Sequence, residues 1–441
     1  MKIALVVPPV EDFYFTPQRA SFLGVRTIET LLSRQGADYR LFNGVRPRGK
    51  PIPLPVELDY LKPFLGQPLF FKNYHRFGIT HEHLAQEVRD YGPDRVLVSS
   101  IAYCYATEAA RTIKAIKSVL PGVTVYAGGP GPTVHPRYYI ENGGADFAVR
   151  GEVDHILHDL LNSPERCSAV YGAEIVYPDG PSSPVDTFIP VLARTGLHRG
   201  TEFYSTMISR GCPRRCSYCS VRSVFPTFRH APIAIIKEEI ARICGSSVDI
   251  HVNFEDDNPT WDFDFFLEVL RLYKTAIKGR FSFSMENGVD FTTLDEEKVT
   301  ILKHHGLKQL NLSLVTLDND VLGRLSRRSD TGRLARIIEA ARRHSVPVTV
   351  YVIAGLPGEG AESIARAMDF LDRMGVLVGF SAFYPVPGTG GYEDLSLFDT
   401  RSPLLCRGSS FFGWNGCSTA ELVSLFTRAR ALNLSRPRNS A

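Results

Sequence analysis

Short apolar runs alternate with amphipathic stretches along most of this chain. Ile3–Val7 is a continuous apolar run stopped by Pro8-Pro9, the pattern of a buried strand. Ser21–Gln35 places Leu23, Val25, Ile28, Leu31 and Leu32 on one helical face. The same reading predicts strands at Tyr39–Phe42, Arg95–Ser99, Val123–Ala127 and Ala145–Val149, and a helix at Ala106–Val119. Alternating strands and helices imply a parallel sheet covered on both faces. Ligands on such sheets bind beyond the carboxyl ends of the strands. Ser99-Ser100 and Gly128-Gly129 fall at those ends.

A second run of the same kind follows. Strands are predicted near Ser205–Ser209, Asp249–Phe254, Phe281–Met285, Gln309–Leu314, Pro347–Ile353 and Leu377–Tyr384. Helices at Ile233–Ile243, Phe265–Tyr273, Glu296–His304, Thr331–Arg343 and Glu362–Arg373 fill the gaps. The expected fold class is α/β. Residues 1–162 form an N-terminal doubly wound Rossmann-like parallel sheet, and 163–200, with the turn cluster Pro178–Pro184, form a linker. Residues 201–390 form a partial (β/α)6 TIM-type barrel with its chemistry at the strand C-termini. Residues 391–441 form a tail that closes the barrel and ends in a helix from Thr419 to about Ala431. Residues 45–80, rich in aromatics, have no clear period and read either as a lid or as a packed loop.

Composition narrows the class. Apolar residues make up 44% of the 441 positions and charged residues 22%, as in a globular enzyme. A net charge of +3 gives no argument for nucleic acid or membrane as a partner. No apolar run approaches the roughly 20 residues that span a bilayer, so a cytoplasmic location is expected. Five cysteines, Cys104, Cys167, Cys244, Cys406 and Cys417, are scattered and read as single thiols in a reducing compartment.

The remaining three form a motif. Arg210-Gly-Cys-Pro-Arg-Arg-Cys-Ser-Tyr-Cys-Ser220 contains CxxxCxxC, directly after a predicted strand. Cys212, Cys216 and Cys219 can hold three irons of a [4Fe–4S] cluster and leave the fourth open to a small molecule. Zinc could use the same spacing, but no second CxxC or His pair stands nearby. Polar groups gather at the other strand ends. Glu255, Asp256 and Asp257 follow the second strand, Ser313 lies near the end of the fourth, and Ile353-Ala-Gly355 follows the fifth. Three consecutive carboxylates are costly to bury unless they meet a cation.

The cysteine spacing, with Tyr218 before the last cysteine, resembles the radical S-adenosylmethionine (SAM) superfamily. Phe254-Glu-Asp-Asp-Asn-Pro-Thr260, Gly355-Leu-Pro-Gly-Glu359 and Pro385-Val-Pro-Gly-Thr389 are similar to runs of its branch with an N-terminal cobalamin-binding-type domain. Val7-Pro-Pro9, Phe22-Leu-Gly24, Gly128-Gly-Pro130 and Val149-Arg-Gly-Glu152 resemble that branch's first half. The resemblance implies a [4Fe–4S] cluster on Cys212, Cys216 and Cys219 that cleaves SAM to a 5′-deoxyadenosyl radical. It places Glu255, Asp256 and Asp257 near the methionine end of SAM, Ser313 near the ribose, and Tyr218 and Ile353 beside the adenine, with Gly355 allowing close approach. Ser99, Ser100, Gly128 and Gly129 would edge a cobalamin. No catalytic acid or base is named.

The chain departs from the branch at three points. Leu41-Phe-Asn-Gly-Val-Arg46 lacks the histidine that often ligates cobalt, so either cobalamin binds with no imidazole below it or the domain has lost its ligand. Ser313-Leu-Val-Thr316 lacks a carboxylate that relatives often carry, and Pro259 replaces an aromatic residue. The expected function is a cobalamin-dependent radical SAM methyltransferase acting on an unactivated carbon of a small molecule, working without oxygen. Its partner would be an electron donor such as flavodoxin or ferredoxin. The alternative is a radical SAM oxidoreductase, cyclase or rearrangement enzyme, with or without cobalamin.

Overall fold

The computed structural model describes residues 1–16, 21–154, 156–163, 175–176, 188–245, 247–327, 330–414 and 416–436. The turn cluster at Pro178–Pro184, Cys167 and Asn415 lie outside them. The first sheet has six parallel strands in the order Asp38–Asn43, Lys2–Val7, Arg95–Ser99, Thr124–Gly128, Phe147–Val149, Ile175–Val176. Strand order reverses at Lys2–Val7, so a crevice opens between that strand's end and Arg95–Ser99. The sixth strand lies in the stretch read from sequence as linker. Only two residues long, it gives no period to detect.

In the second half, Ala193–His198 pairs antiparallel with Thr201–Thr206, which runs parallel to Asp249–Phe254 and then Phe281–Ser284. A further parallel sheet orders Leu310–Val315, Val348–Ala354 and Leu377–Ala382. Two parallel bridges, Phe283 to Leu307 and Val289 to Leu312, join the two sheets. The architecture is thus mixed α/β with parallel sheets at the centre. The strand expected at Ser205–Ser209 lies earlier, at Thr201–Thr206. The apolar pair Met207-Ile208 that suggested the later position forms the exit turn instead. Polar Glu202 sits in the strand because it is salt-bridged to Arg194 across the hairpin at 2.8 Å.

The insertion is a packed loop. Leu58 and Leu61, on the 3-10 helix Val56–Phe64, are fully buried. Phe70 and Phe71 pack against Phe411 and Phe426 of the tail. Tyr74–Phe77 pairs with Val10–Asp12 and Lys50–Ile52 in a small antiparallel sheet. The tail ends in the helix Thr419–Leu434, started by a capping box of Ser418 and Glu421. Asn433 on this helix exchanges two hydrogen bonds with Val378, at 2.8 and 2.9 Å, and so covers the edge strand. The described cysteines are all free. No helix among the described residues is long and apolar enough to cross a membrane.

Candidate functional site

The cysteine loop is held by its own hairpin. Ser209–Arg210 pairs antiparallel with Arg229–His230. Gly211 between hairpin and Cys212 has φ +83, and a Cβ there would lie 2.5 Å from the Thr227 carbonyl oxygen, so only glycine fits. Within the loop the Cys219 N–H donates to the Cys216 carbonyl at 3.1 Å. Burial pushes the Cys219 thiol up to about 11 and the Cys212 thiol upward as well. Thiols raised in this way give up their protons only to a metal, so binding and deprotonation are coupled. Asn258 Nδ2 lies 3.9 Å from Cys212 Sγ and Arg327 Nη1 3.8 Å from Cys216 Sγ. Among the described residues no three His, Cys, Asp or Glu side chains converge as one metal ion would require. Three thiols on one loop, with no second CxxC or His pair beside them in sequence, are a donor set that fits three irons of a [4Fe–4S] cluster.

The three carboxylates after Asp249–Phe254 divide. Asp256 turns inward and straps the loop, accepting from Ile208 N at 3.2 Å and from Ser209 N and Oγ at 2.5 Å. Glu255 and Asp257 line a cavity. Glu255 accepts from Ser21 Oγ at 2.8 Å and Asp257 from Gly211 N at 3.2 Å. Burial pushes Asp256 up to about 7, Asp257 up to about 6 and Glu255 upward. No arginine, lysine or histidine among the described residues forms an ion pair with them.

Ser313 sits at a bulge in its strand, and its carbonyl accepts from Arg327 Nη2 at 2.8 Å. Tyr218 and Ile353 pack on one shared apolar cluster, together with Tyr384 and Trp414. Gly355 has φ +83 and faces Leu422 and Cys417 of the tail. Glu359, at the end of that loop, is buried and accepts from the Thr316 hydroxyl; burial pushes it up to about 7.

The cavity of about 610 Å³ reaches both halves. Ser99, Gly128 and Gly129 line it from the first sheet, Phe22 and Gly24 from the start of the helix Leu23–Arg34, and Met207, Glu255 and Asp257 from the second half. Its volume is that of a small-molecule site. No histidine among the described residues lines it. Ser99 and Ser100 part company. Ser100 is buried and its hydroxyl is hydrogen-bonded to Tyr139 at 2.7 Å, away from the cavity.

Two features escaped the sequence reading. The first is a buried clamp: Arg210 donates to Glu152 at 2.5 Å and to Asp154 at 2.8 Å, Arg229 also pairs with Glu152, and Phe188 lies 4.4 Å from the Arg210 guanidinium. The run Val149-Arg-Gly-Glu152 thus ties the first sheet to the cysteine loop. A signal existed, since Gly211–Ile236 contains four arginines and no Asp or Glu, an imbalance that only distant carboxylates could relieve. The second is Arg327, for which spacing gave no cue.

Comparisons with known proteins agree with this geometry. Residues 206–371 match the model of the radical SAM superfamily, and residues 52–161 that of the B12 binding domain. The chain is 21% identical to cytidylyl-2-hydroxyethylphosphonate methyltransferase of Streptomyces wedmorensis, over 88% of this chain and 80% of that protein. It is 24% identical to hopanoid C-3 methylase of Methylococcus capsulatus, over 74% and 67% respectively. Among solved structures it resembles the radical S-adenosylmethionine methyltransferase TsrM from Kitasatospora setae with cobalamin and [4Fe–4S] cluster bound. There the TM-score is 0.62 at 16% identity, over 88% of this chain and 76% of that one.

Proposed function

We propose, from the premise that this chain belongs to the radical SAM superfamily and carries a B12-binding domain, that it is a cobalamin-dependent methyltransferase. Its target would be an unactivated carbon of a small molecule. Its cofactors are a [4Fe–4S] cluster, S-adenosylmethionine and cobalamin. The observation that carries this reading is the single cavity lined both by Ser99, Gly128 and Gly129 and by Glu255 and Asp257. Two cofactors held at those edges would face each other across it.

When bound, the cluster with SAM supplies radical chemistry and cobalamin carries a methyl group; the chain places them and excludes water. Cys212, Cys216 and Cys219 would hold three irons. Glu255 and Asp257 face the cavity without a cation, where the ammonium and sulfonium of SAM would satisfy them, and Asp256 fixes the loop behind them. Tyr218 and Ile353 would offer the apolar wall for adenine and Ser313 the ribose side, while Gly355, against Leu422 and Cys417, instead lets the tail pack close behind that wall. Gly129 lets the backbone pass where a Cβ would lie 2.6 Å from the Ser100 carbonyl oxygen, which keeps the cobalamin edge flat. We assign residues 1–162 to cobalamin and 201–390 to radical chemistry, with 163–200 linking them and 391–441 covering the second half. A flavodoxin or ferredoxin in the cytoplasm would supply the electron.

The test is purification without oxygen, with cobalamin supplied and excess removed, followed by cobalamin and iron determination. About one cobalamin and four irons per chain are expected. Replacing Cys212, Cys216 and Cys219 together with Ala should abolish the iron and spare the cobalamin. Iron without retained cobalamin would overturn methyl transfer and turn the search to oxidation, cyclisation or rearrangement. A cluster that survives the triple replacement would overturn the ligand assignment.

A further inference from the structure

Arg327 follows the short helix Asn319–Arg324 and is nearly buried, with 11% of its side chain exposed. Its position is set twice. In the backbone, Arg327 N–H donates to the Leu322 carbonyl at 3.0 Å, and Ser217 N–H of the cysteine loop to the Leu325 carbonyl at 3.3 Å. In the side chain, Nη1 reaches Cys216 Sγ at 3.8 Å and the Tyr218 hydroxyl at 3.5 Å, while Nη2 donates to the Ser313 carbonyl at 2.8 Å. Asp290 Oδ1 lies 3.9 Å from Nη2, and the other oxygen of Asp290 takes Arg214 Nε at 2.8 Å. A chain of alternating charge therefore runs Arg214, Asp290, Arg327, Cys216. No other cation among the described residues has a hydrogen bond to one of the three sulfurs.

Charge and hydrogen bonds at the cysteine sulfurs are among the main determinants of an iron–sulfur cluster's reduction potential. One-electron reduction adds a negative charge to the cluster, and a guanidinium at a ligand sulfur favours the more negative state. We propose that Arg327 is a positioning residue that stabilises the reduced cluster, and that Asp290 opposes it by neutralising part of its charge. The electron comes from a low-potential one-electron carrier protein, which is oxidised as the cluster is reduced; no proton moves and no bond breaks in this step. The same guanidinium ties the Ser313 carbonyl to Cys216 and Tyr218 of the cysteine loop. This inference rests on the cluster being held by Cys212, Cys216 and Cys219.

The test uses the full chain, reconstituted without oxygen, as wild type, Arg327→Gln, Arg327→Lys and Asp290→Asn. Iron per chain is measured first, then the fraction of reduced cluster by electron paramagnetic resonance in a redox titration. Arg327→Gln should keep its iron and shift the reduced-to-oxidised ratio at a fixed potential down about tenfold, equivalent to ~59 mV for one electron. Arg327→Lys, which keeps the charge, should shift it less. Asp290→Asn, which keeps an acceptor for the Thr292 N–H but loses the charge, should shift it in the opposite direction. Opposite signs are the signature that a merely structural role would not produce. An unchanged ratio in Arg327→Gln with full iron would overturn the proposal. Should that variant lose its cluster, a ratio in Asp290→Asn that is unchanged or lower would do so. A wild-type chain that takes up no iron would instead remove the cluster assignment beneath it.

Discussion

Buried acids meet different fates at the two seams of this molecule. Where the tail meets the helix Ala106–Val119 of the first half, Arg407 is buried and answers Glu108 with two hydrogen bonds, at 2.7 and 2.9 Å. Glu11 beside them is met by Arg76 at 2.7 Å and Arg111 at 2.9 Å. Burial pushes Glu108 upward even against Arg407, but at Glu11 it is outweighed by His81, Arg76 and Arg111, which hold the carboxyl down at about 2. At the end of Asp249–Phe254 the acids are also buried, yet among the described residues their partners are neutral hydroxyl, amide and backbone donors, and burial prevails. Matched acids fasten the fold. On the function proposed above, the unmatched acids beside the cavity would be met by a cation from outside the chain, and they cost some stability without it.

The sharpest way to break this comparison is to unmatch a matched pair. Arg407→Met keeps the bulk and leaves Glu108 buried without its partner. The expected loss is about 3–5 kcal/mol, the range for removing one side of a buried ion pair. Urea unfolding of the full chain without SAM measures it. A loss below about 1 kcal/mol would mean that Glu108 takes up a proton at little cost and that the seam does not depend on the pair.

Glu11 and Asp256 predict pH slopes of opposite sign. Glu11 has a folded-state pKa below its ordinary 4.5, so its contribution is present above about 4.5 and is lost as pH falls toward 2. Asp256 lies above its ordinary 3.8, at about 7, so its contribution is present below about 3.8 and is lost as pH rises toward 7. The limbs amount at most to roughly 3 kcal/mol for Glu11 and roughly 4 kcal/mol for Asp256. Unfolding midpoints in the SAM-free protein between pH 3 and 8 should show both. Glu11→Gln should flatten the acid limb, and Asp256→Asn the neutral one. An unchanged neutral limb in Asp256→Asn would mean that this carboxylate is ionised in the folded chain and already matched.

Legibility in the sequence followed the range of the forces involved. Local period placed Arg95–Ser99, Ala106–Val119, Asp249–Phe254, Glu296–His304 and Thr331–Arg343 to the residue. The strand Ala193–His198 was harder to see. It holds Arg194, Gly196 and His198, has a bulge, and owes its existence to pairing with Thr201–Thr206 rather than to its own pattern. Spacing was enough to single out Cys212, Cys216 and Cys219, because chemistry that needs several ligands on one loop leaves a local mark. Arg327 and the Arg210–Glu152 clamp leave none of that kind. Their partners stand 111 and 58 positions away, and only the fold brings them together.

Ser99 and Ser100 carry the same comparison into neutral groups at adjacent positions, with the smallest expected effect. Ser100 is matched: its hydroxyl meets that of Tyr139, a fully buried ring, and a Cβ on Gly131 would come within 2.6 Å of Ser100 Oγ, so nothing can shift to replace it. Ser100→Ala should cost about 1–2 kcal/mol by stranding the Tyr139 hydroxyl, with cobalamin retention unchanged. Ser99 is half-buried, lines the cavity and has no side-chain hydrogen bond among the described residues. Ser99→Ala should stay within about 0.5 kcal/mol of wild type. Its effect should appear instead as weaker cobalamin retention after gel filtration, because in the proposed function the bond that it would make is to the ligand. If Ser99→Ala were the one to lose stability and Ser100→Ala the one to lose cobalamin, the two strand-end hydroxyls would have exchanged roles. Burial and pairing would then be a poor guide to which polar groups hold this fold and which wait for a ligand.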